Sequence, residues 1–196
     1  LRLADSPYIA RMDADDVAMP HRLARQAAYL DDHVDVDVVG SWAMDIDERG
    51  AERGVRRVPE THDAIAGMML KANPLIHPSV MFRREAIVNI GGYDERFRVA
   101  QDYFLWFRCL QHGLRFANIP EPLIRYRVHA NHASRRGLKY RRIDAAVRWH
   151  GARAIGRGVA AAAGAAAIPL LLGIVPGSVT RMAMRHRDRL DPRQKA

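Results

Sequence analysis

Two hydrophobic periods alternate along the first 130 residues. Tyr8 to Met12 alternates as a short strand, and the polar stretch Asp13 to Asp16 leads to a helix over Pro20 to Leu30, with Pro at its first turn and Leu23, Ala27 and Leu30 along one side. Val34 to Val39 and Ser41 to Asp47 read as two strands, and Glu48, Arg49 and Gly50 turn the chain toward Val55 to Val58. Thr61 to Lys71 has helical spacing, with Ile65, Met68 and Met69 as core, and Pro78 to Arg83 is a further strand. Glu85 to Ile90 is a short helix closed by Gly91-Gly92, and Gln101 to His112 a stronger one closed by a left-handed cap at Gly113. Strands Arg115 to Ile119 and Leu123 to Val128 follow. The alternation predicts an α/β domain with a mostly parallel sheet flanked by helices.

Composition narrows the class. With 196 residues, 48% hydrophobic and 27% charged, the chain can bury a sizeable core, which excludes wholesale disorder and a polytopic membrane protein. A lone cysteine, Cys109, in the apolar run Tyr103 to Leu110 reads as a buried core thiol in a reducing compartment. The chain opens on Leu1, and Leu1 to Ser6 resembles the end of a helix already under way, so a domain incomplete at its N-terminus is expected.

Charge divides the chain in two. Residues 1–134 hold 17 Lys+Arg against 19 Asp+Glu, a net of −2, whereas residues 135–196 hold 14 against 3, a net of +11. Without interleaved aromatics or a recognisable module the basic tail does not indicate nucleic acid; it fits an anionic membrane surface. Within it, Gly158 to Thr180 runs 23 residues without a charge, flanked by Arg148, Arg153 and Arg157 on one side and Arg181, Arg185, Arg187 and Arg189 on the other. Two readings stay open for this apolar segment 158–180: a membrane-embedded or interfacial helix interrupted by Pro169, or an Ala-rich helix packed on the body or on a partner chain. In both, 135–196 is a unit separate from 1–134.

The sharpest chemical feature is Tyr8-Ile9-Ala10-Arg11-Met12-Asp13-Ala14-Asp15-Asp16, a strand that delivers three carboxylates within four residues at its C-terminal end, the edge where open α/β sheets bind ligands. Such a cluster suits Mg²⁺ or Mn²⁺ shared with substrate phosphates, or else an acidic loop capping the helix at Pro20. A second constellation is Gly91-Gly92-Tyr93-Asp94-Glu95-Arg96-Phe97 followed by Gln101-Asp102-Tyr103, where Asp102 opens an apolar helix as either an N-terminal cap or a base.

These two segments, with Asn73-Pro74-Leu75-Ile76-His77-Pro78-Ser79-Val80-Met81-Phe82-Arg83-Arg84 between them and Tyr126-Arg127-Val128-His129 after, resemble family 2 glycosyltransferases of the GT-A fold, from about Asp5 to about Ser134. The resemblance implies a Rossmann-like mixed sheet and sugar transfer from a nucleotide-sugar donor to a saccharide or lipid-linked acceptor, by in-line displacement with inversion. It gives Asp15 the metal and diphosphate, Asp13 the ribose or sugar side, Asp16 support for either, and Asp102 the catalytic base. His129 matches a position where some relatives add a metal ligand, and His77, Gln101 and Tyr103 fall on the acceptor side. Gln101 stands where the family usually has Glu, which puts in doubt any acceptor contact needing a charge there. The resemblance further implies a bacterial enzyme of surface-polysaccharide or glycolipid assembly at the cytoplasmic face of the inner membrane, with its nucleotide-clasping strand and helix upstream of the residues present.

Two other readings remain at this point. Asp13 and Asp15 also match the strand-end Asp-X-Asp of haloacid-dehalogenase-like phosphatases, although Val17 and Lys71 satisfy the rest of that pattern only loosely. A truncated transferase-like, membrane-attached binding module would carry the same motifs without turnover. Trp42 and Trp106 read as core rather than as sugar platforms.

Overall fold

A computed structural model describes residues 3–97, 99–129 and 138–174. The chain runs β1 (Tyr8–Ala10), β2 (Val17–Ala18), α1 (Arg22–Asp32), β3 (Val38–Ile46), β4 (Glu52–Arg56), α2 (His62–Met68), a single 3₁₀ turn at His77–Ser79, β5 (Met81–Arg83), α3 (Arg84–Asn89), α4 (Gln101–Gln111), β6 (Phe116–Arg127), α5 (Leu138–Ala154) and α6 (Val159–Ile174). The sheet has the order β1-β5-β3-β6-β2, with β4 paired to β3 off that path. Only β3 and β6 run parallel among the paired strands described, so the expected mostly parallel sheet is in fact mixed.

Strand alternation divides the core into two layers. Val38, Phe82 and Phe116 face α2, α3, α4 and α5, while their chain neighbours Val39, Met81 and Ala117 face the other way and pack with Leu30 of α1. On the first side α4 buries Tyr103, Phe104, Leu105, Trp106, Phe107 and Cys109, nearly its whole circumference, because it lies between the sheet and α5. Ile65, Met68 and Met69 are core, as expected, and so are Cys109 and Trp106. Burial pushes the Cys109 thiol well above its ordinary value, which leaves it inert.

Several boundaries differ from the sequence reading, each for a physical reason. The two strands expected around Gly40 are one, because Gly40 leaves room for Asn118 of β6: a Cβ there would stand 2.1 Å from the Asn118 amide oxygen. The strands expected on either side of Pro120 are also one, β6, whose ladder with β3 shifts register around Trp42, where Pro120 and Pro122 have no N–H to donate. The strand expected from Pro78 begins only at Met81, since Pro78 opens the 3₁₀ turn. Thr61 caps α2, its hydroxyl accepting from the Ala64 amide, and the helix ends at Met68 rather than Lys71.

On α1 Leu30 is buried as predicted and Ala27 packs partly against the same cluster, but the fully buried stripe continues through Gln26 and Arg22, and Leu23 is exposed. Polar side chains win this face because β1, β3 and the 3₁₀ segment present backbone carbonyls to it. Gln26 donates to Val39 and Ser79 carbonyls at 3.2 and 2.8 Å, and Arg22 to the Arg11 carbonyl at 2.7 Å.

The boundary expected at residue 134 lies outside the described residues, and the helix that follows it packs on the body. Val147 of α5 joins the main core, and Arg148, Gly151 and Ala152 are buried beside it. Helix α6 lies on α5 through Ala162, Ala165 and Pro169, and Arg141 donates to the Pro169 carbonyl at 3.3 Å. Among the described residues no helix is long and apolar enough to cross a membrane. The end of the apolar segment, 175–180, lies outside the described residues, as do Arg181, Arg185, Arg187 and Arg189, together with Ser134 at the edge of the resemblance.

Candidate active site

The acidic turn between β1 and β2 is held by the far end of β6. Arg127 is the hub: its amide donates to Asp16 Oδ1 at 2.8 Å, its Nε to the Asp15 carbonyl at 2.8 Å, and its Nη1 to the carbonyls of Asp47 and Glu48 at 2.8 and 3.1 Å. Two residues further, His129 Nε2 meets Asp15 Oδ2 at 2.8 Å, and its Nδ1 lies 3.6 Å from Glu48. Asp13 pairs instead with Arg11 at 2.6 Å. From below, the buried Arg22 bonds the Arg11 carbonyl and reaches Met12 Sδ at 3.1 Å. The turn is therefore fixed through the Asp15 carbonyl and the Asp16 carboxylate, while Asp13 and Asp15 stay partly exposed, each with a cationic or imidazole partner.

The carboxylates are not equivalent. The hydrogen bond from His129 holds Asp15 below the usual carboxylate range. Burial pushes Asp16 up to about 6, despite the Arg127 amide, and the charges of Asp15 and Asp13 push the same way. Asp16 Oδ2 has no hydrogen-bond partner among the described residues although it is buried. Burial lowers Arg22 to about 10, opposed by the Asp16 charge. The alternative of an acidic loop capping α1 is excluded, because His21 stands at the cap and no side chain bonds the first turn.

The residues present could supply only part of a divalent cation's ligand set. No three His, Cys, Asp or Glu side chains among the described residues surround a single point, so an all-protein cage is absent there. Asp15 and His129 supply two adjacent donors, and the buried, unpartnered oxygen of Asp16 lies in the same turn. That set suits Mn²⁺ or Mg²⁺ completed by substrate phosphate oxygens.

The second cluster surrounds Asp102 in the first turn of α4. Asp102 is not the cap: Ala100 holds that position, in the left-handed region at φ +57°, and no side chain bonds the helix end. The carboxylate instead accepts from Asn73 Nδ2 at 2.8 Å. His77 Nε2 lies 2.9 Å from the Tyr93 hydroxyl, with its ring edge-on to Trp106. Burial lowers His77 and raises Tyr93 to about 12; the charge of Asp102 opposes the first shift and adds to the second, and Arg11 and Asp13 act on both.

One segment joins the two clusters. Asn73 bonds Asp102, the Val80 carbonyl accepts from the Arg11 amide at 2.9 Å, and His77 lies between. The buried Ser79 hydroxyl locks the segment to β3, donating to the Ile76 carbonyl at 2.8 Å and accepting from the Ser41 amide at 3.1 Å.

Not every expected site residue belongs here. Tyr103 is 3% exposed, its hydroxyl donates to the Met69 carbonyl, and burial raises it far above its ordinary value, so it is core and presents nothing to an acceptor. Gln101 is exposed at the start of α4, and Trp42 is half-buried, with Nε1 donating to the Val58 carbonyl. Arg127, Asn73 and Tyr93 sit inside the quoted motifs, yet their roles depend on partners tens of residues away, which spacing alone does not reveal.

A mixed sheet with helices on both faces, an acidic turn at a strand end and a carboxylate at a helix start agree with the GT-A fold of the solved structures on which the chain superposes. The chain belongs to the glycosyltransferase-like family 2, whose family model matches residues 1–152. That assignment displaces the phosphatase reading of Asp13 and Asp15. The chain is 33% identical over 133 residues to the amylovoran biosynthesis glycosyltransferase AmsE of Erwinia amylovora, covering 67% of this chain and 49% of that protein. It is 34% identical over 134 residues to the O-antigen biosynthesis glycosyltransferase WbnJ of Escherichia coli, covering 67% and 52%. The chain thus spans about half the length of these relatives. Among solved structures it superposes on S. aureus TarS 1-349 in complex with UDP at a TM-score of 0.56 and 15% identity, covering 86% of this chain and 47% of that one. On the mannosyltransferase PcManGT of Pyrobaculum calidifontis, in complex with GDP-Man and Mn²⁺, the TM-score is 0.50 at 16% identity, covering 99% and 59%.

Proposed function

We propose that this chain forms the metal-end and acceptor side of an inverting sugar transferase that uses a nucleotide-sugar donor in bacterial surface-polysaccharide or glycolipid assembly. The observation that carries the reading is the 73–80 segment, which ties Asp102 to the acidic turn through two hydrogen bonds and sets His77 between them. Donor and acceptor groups held at opposite ends of one locked segment suit a single displacement.

In this reading Asp102 takes the proton of the acceptor hydroxyl as its oxygen bonds to the anomeric carbon, and the bond from that carbon to the diphosphate breaks on the opposite face, with inversion. The Asn73 amide orients the Asp102 carboxylate and leaves its second oxygen for the hydroxyl. Asp15 and His129 hold a divalent cation whose chemistry, when bound, is neutralisation of charge on the leaving diphosphate. Asp13 faces the ribose or sugar and Asp16 supports the turn. His77 and Gln101 line the acceptor side. The acceptor is a saccharide or a lipid-linked saccharide, and the basic helix α5 with the exposed Val159, Leu170 and Leu171 of α6 faces an anionic membrane surface at the cytoplasmic side.

Titration of donor binding and turnover in the full-length protein tests the division of roles. Asp102→Asn lowers transfer by roughly 10²- to 10⁴-fold with donor affinity nearly unchanged. Asp15→Asn weakens donor binding only where Mn²⁺ is present. Equal loss of donor affinity in both variants overturns the division, and absence of any metal-dependent donor turnover favours a binding module instead.

A further inference from the structure

We propose that Arg148, on helix α5, is a positioning residue for Asp102; the inference rests on the reading of Asp102 as the base. Arg148 is 7% exposed, and its charge is balanced by Asp144 one turn earlier, with Nε donating to Oδ1 at 3.0 Å. A buried guanidinium is stable only when its donors are used, and here they point at two elements that converge on Asp102. Nη1 donates to the carbonyls of Leu70 and Lys71 at 3.1 and 2.8 Å, satisfying backbone acceptors left over where α2 has ended at Met68. The guanidinium carbon stands 5.3 Å from the centre of the Tyr103 ring, whose hydroxyl bonds the Met69 carbonyl.

The consequence is geometric. Residues 69–71 lead directly into Asn73, which orients the Asp102 carboxylate, and Tyr103 is the next residue after Asp102 on α4. One side chain therefore sets the separation between the Asn73 donor and the helix turn that carries its acceptor. Asp102 makes no hydrogen bond or ion pair with Arg148 or Asp144. Arg148 acts through Asn73 and Tyr103, and a shift of a few tenths of an ångström in either moves the carboxylate relative to the acceptor hydroxyl. Lysine does not substitute, because one compact ammonium cannot reach two carbonyls, an aspartate and the ring face that the wider guanidinium fork spans.

The test is steady-state transfer by the full-length protein with Mn²⁺, using whichever UDP- or GDP-linked sugar turns over fastest. Arg148→Lys is expected to lower kcat by roughly tenfold with the donor KM within about twofold of wild type. Asn73→Ala is expected to lower kcat similarly, and the double variant by clearly less than the product of the two losses, since both act on the Asn73–Asp102 hydrogen bond. Wild-type kcat in Arg148→Lys, or losses that multiply in the double variant, overturns the proposal. A merely structural Arg148 would lower Tm and leave kcat per folded molecule unchanged, which overturns it too. Arg148→Met, which keeps the stem but no donor, repeats the comparison if Arg148→Lys fails to fold. Asp102→Asn separates the two readings: full transfer in that variant removes the base assignment, whereas its loss beside an unaffected Arg148→Lys removes only the positioning role.

Discussion

The two halves of the candidate site are built in opposite ways. The acidic turn is held at the rim of the sheet by hydrogen bonds, nearly all through Arg127, the Arg127 amide and Arg22, with its carboxylates partly open to water. Asp102 stands on a helix whose Tyr103, Phe104, Leu105, Trp106 and Phe107 are all buried, so hydrophobic packing places it. Polar bonds at a rim resist small rotations yet exchange readily with water, whereas a packed helix moves only as a unit. A group that binds and releases a charged donor suits the first construction, and one that must meet a hydroxyl at a fixed distance suits the second. If the contrast is real, packing defects and rim defects must separate in their readouts.

The largest separation is expected from Gly151→Ala. A Cβ at Gly151 would stand 2.2 Å from the ring of Phe107, which is fully buried and has nowhere to turn. Helix propensity favours Ala by about 1 kcal/mol, but overpacking typically costs about 1–3 kcal/mol and here lies at the upper end. We expect a net loss of about 2 kcal/mol in thermal or denaturant unfolding, with metal-dependent donor affinity per folded molecule unchanged. A variant as stable as wild type would mean that α5 does not pack on α4 as closely as described.

Arg127→Lys addresses the other half. The substitution keeps the charge and the backbone amide bond to Asp16 but loses the simultaneous reach to the Asp15, Asp47 and Glu48 carbonyls. Donor affinity in Mn²⁺ is expected to fall by roughly tenfold, about 1.4 kcal/mol, while the unfolding midpoint moves little. Equal losses of stability and affinity would remove the distinction between rim and core.

How much of this was legible in sequence follows the same division. The strand before Asp13-Ala14-Asp15-Asp16, though it ends at Ala10 rather than Met12, and the helix opening at Gln101-Asp102 were readable because local hydrophobic period and turn residues determine both. Core residues such as Ile65 and Met69 followed from helical spacing for the same reason, and Trp106 from the usual place of large aromatics in an α/β body. The single strands β3 and β6 were not readable, since Gly40 and the Pro120 and Pro122 pair look like breaks until the partner strand is present. Arg22, Gln26 and Arg148 also escaped, because a buried polar side chain is justified only by carbonyls presented from other elements. The burial of Tyr103 was not legible from its place beside Asp102: on a helix, neighbours in sequence point about 100° apart, and the Tyr103 ring faces the core.

The smallest effect, and the one that sits between the two halves, is the pH response of His77. Burial lowers His77 below its ordinary value of about 6.5, with Arg11 pushing the same way and Asp102 and Asp13 opposing. Above about 6.5 the imidazole is neutral in both folded and unfolded chains, and the stability it contributes is fully present. As pH falls, the unfolded chain takes up a proton first while the folded one resists, so stability declines across the window from about 6.5 down to the lowered folded value and is lost below it. In His77→Gln, where a neutral amide faces the Tyr93 hydroxyl, that part of the decline should vanish. His62, also lowered by burial, is common to both proteins and cancels in the difference. Melting curves from pH 7.5 to 5 should therefore fall less steeply for His77→Gln than for wild type. Parallel curves would place His77 in water, detached from the packed side of the cleft, and would leave the 73–80 segment without the buried midpoint that joins rim to helix.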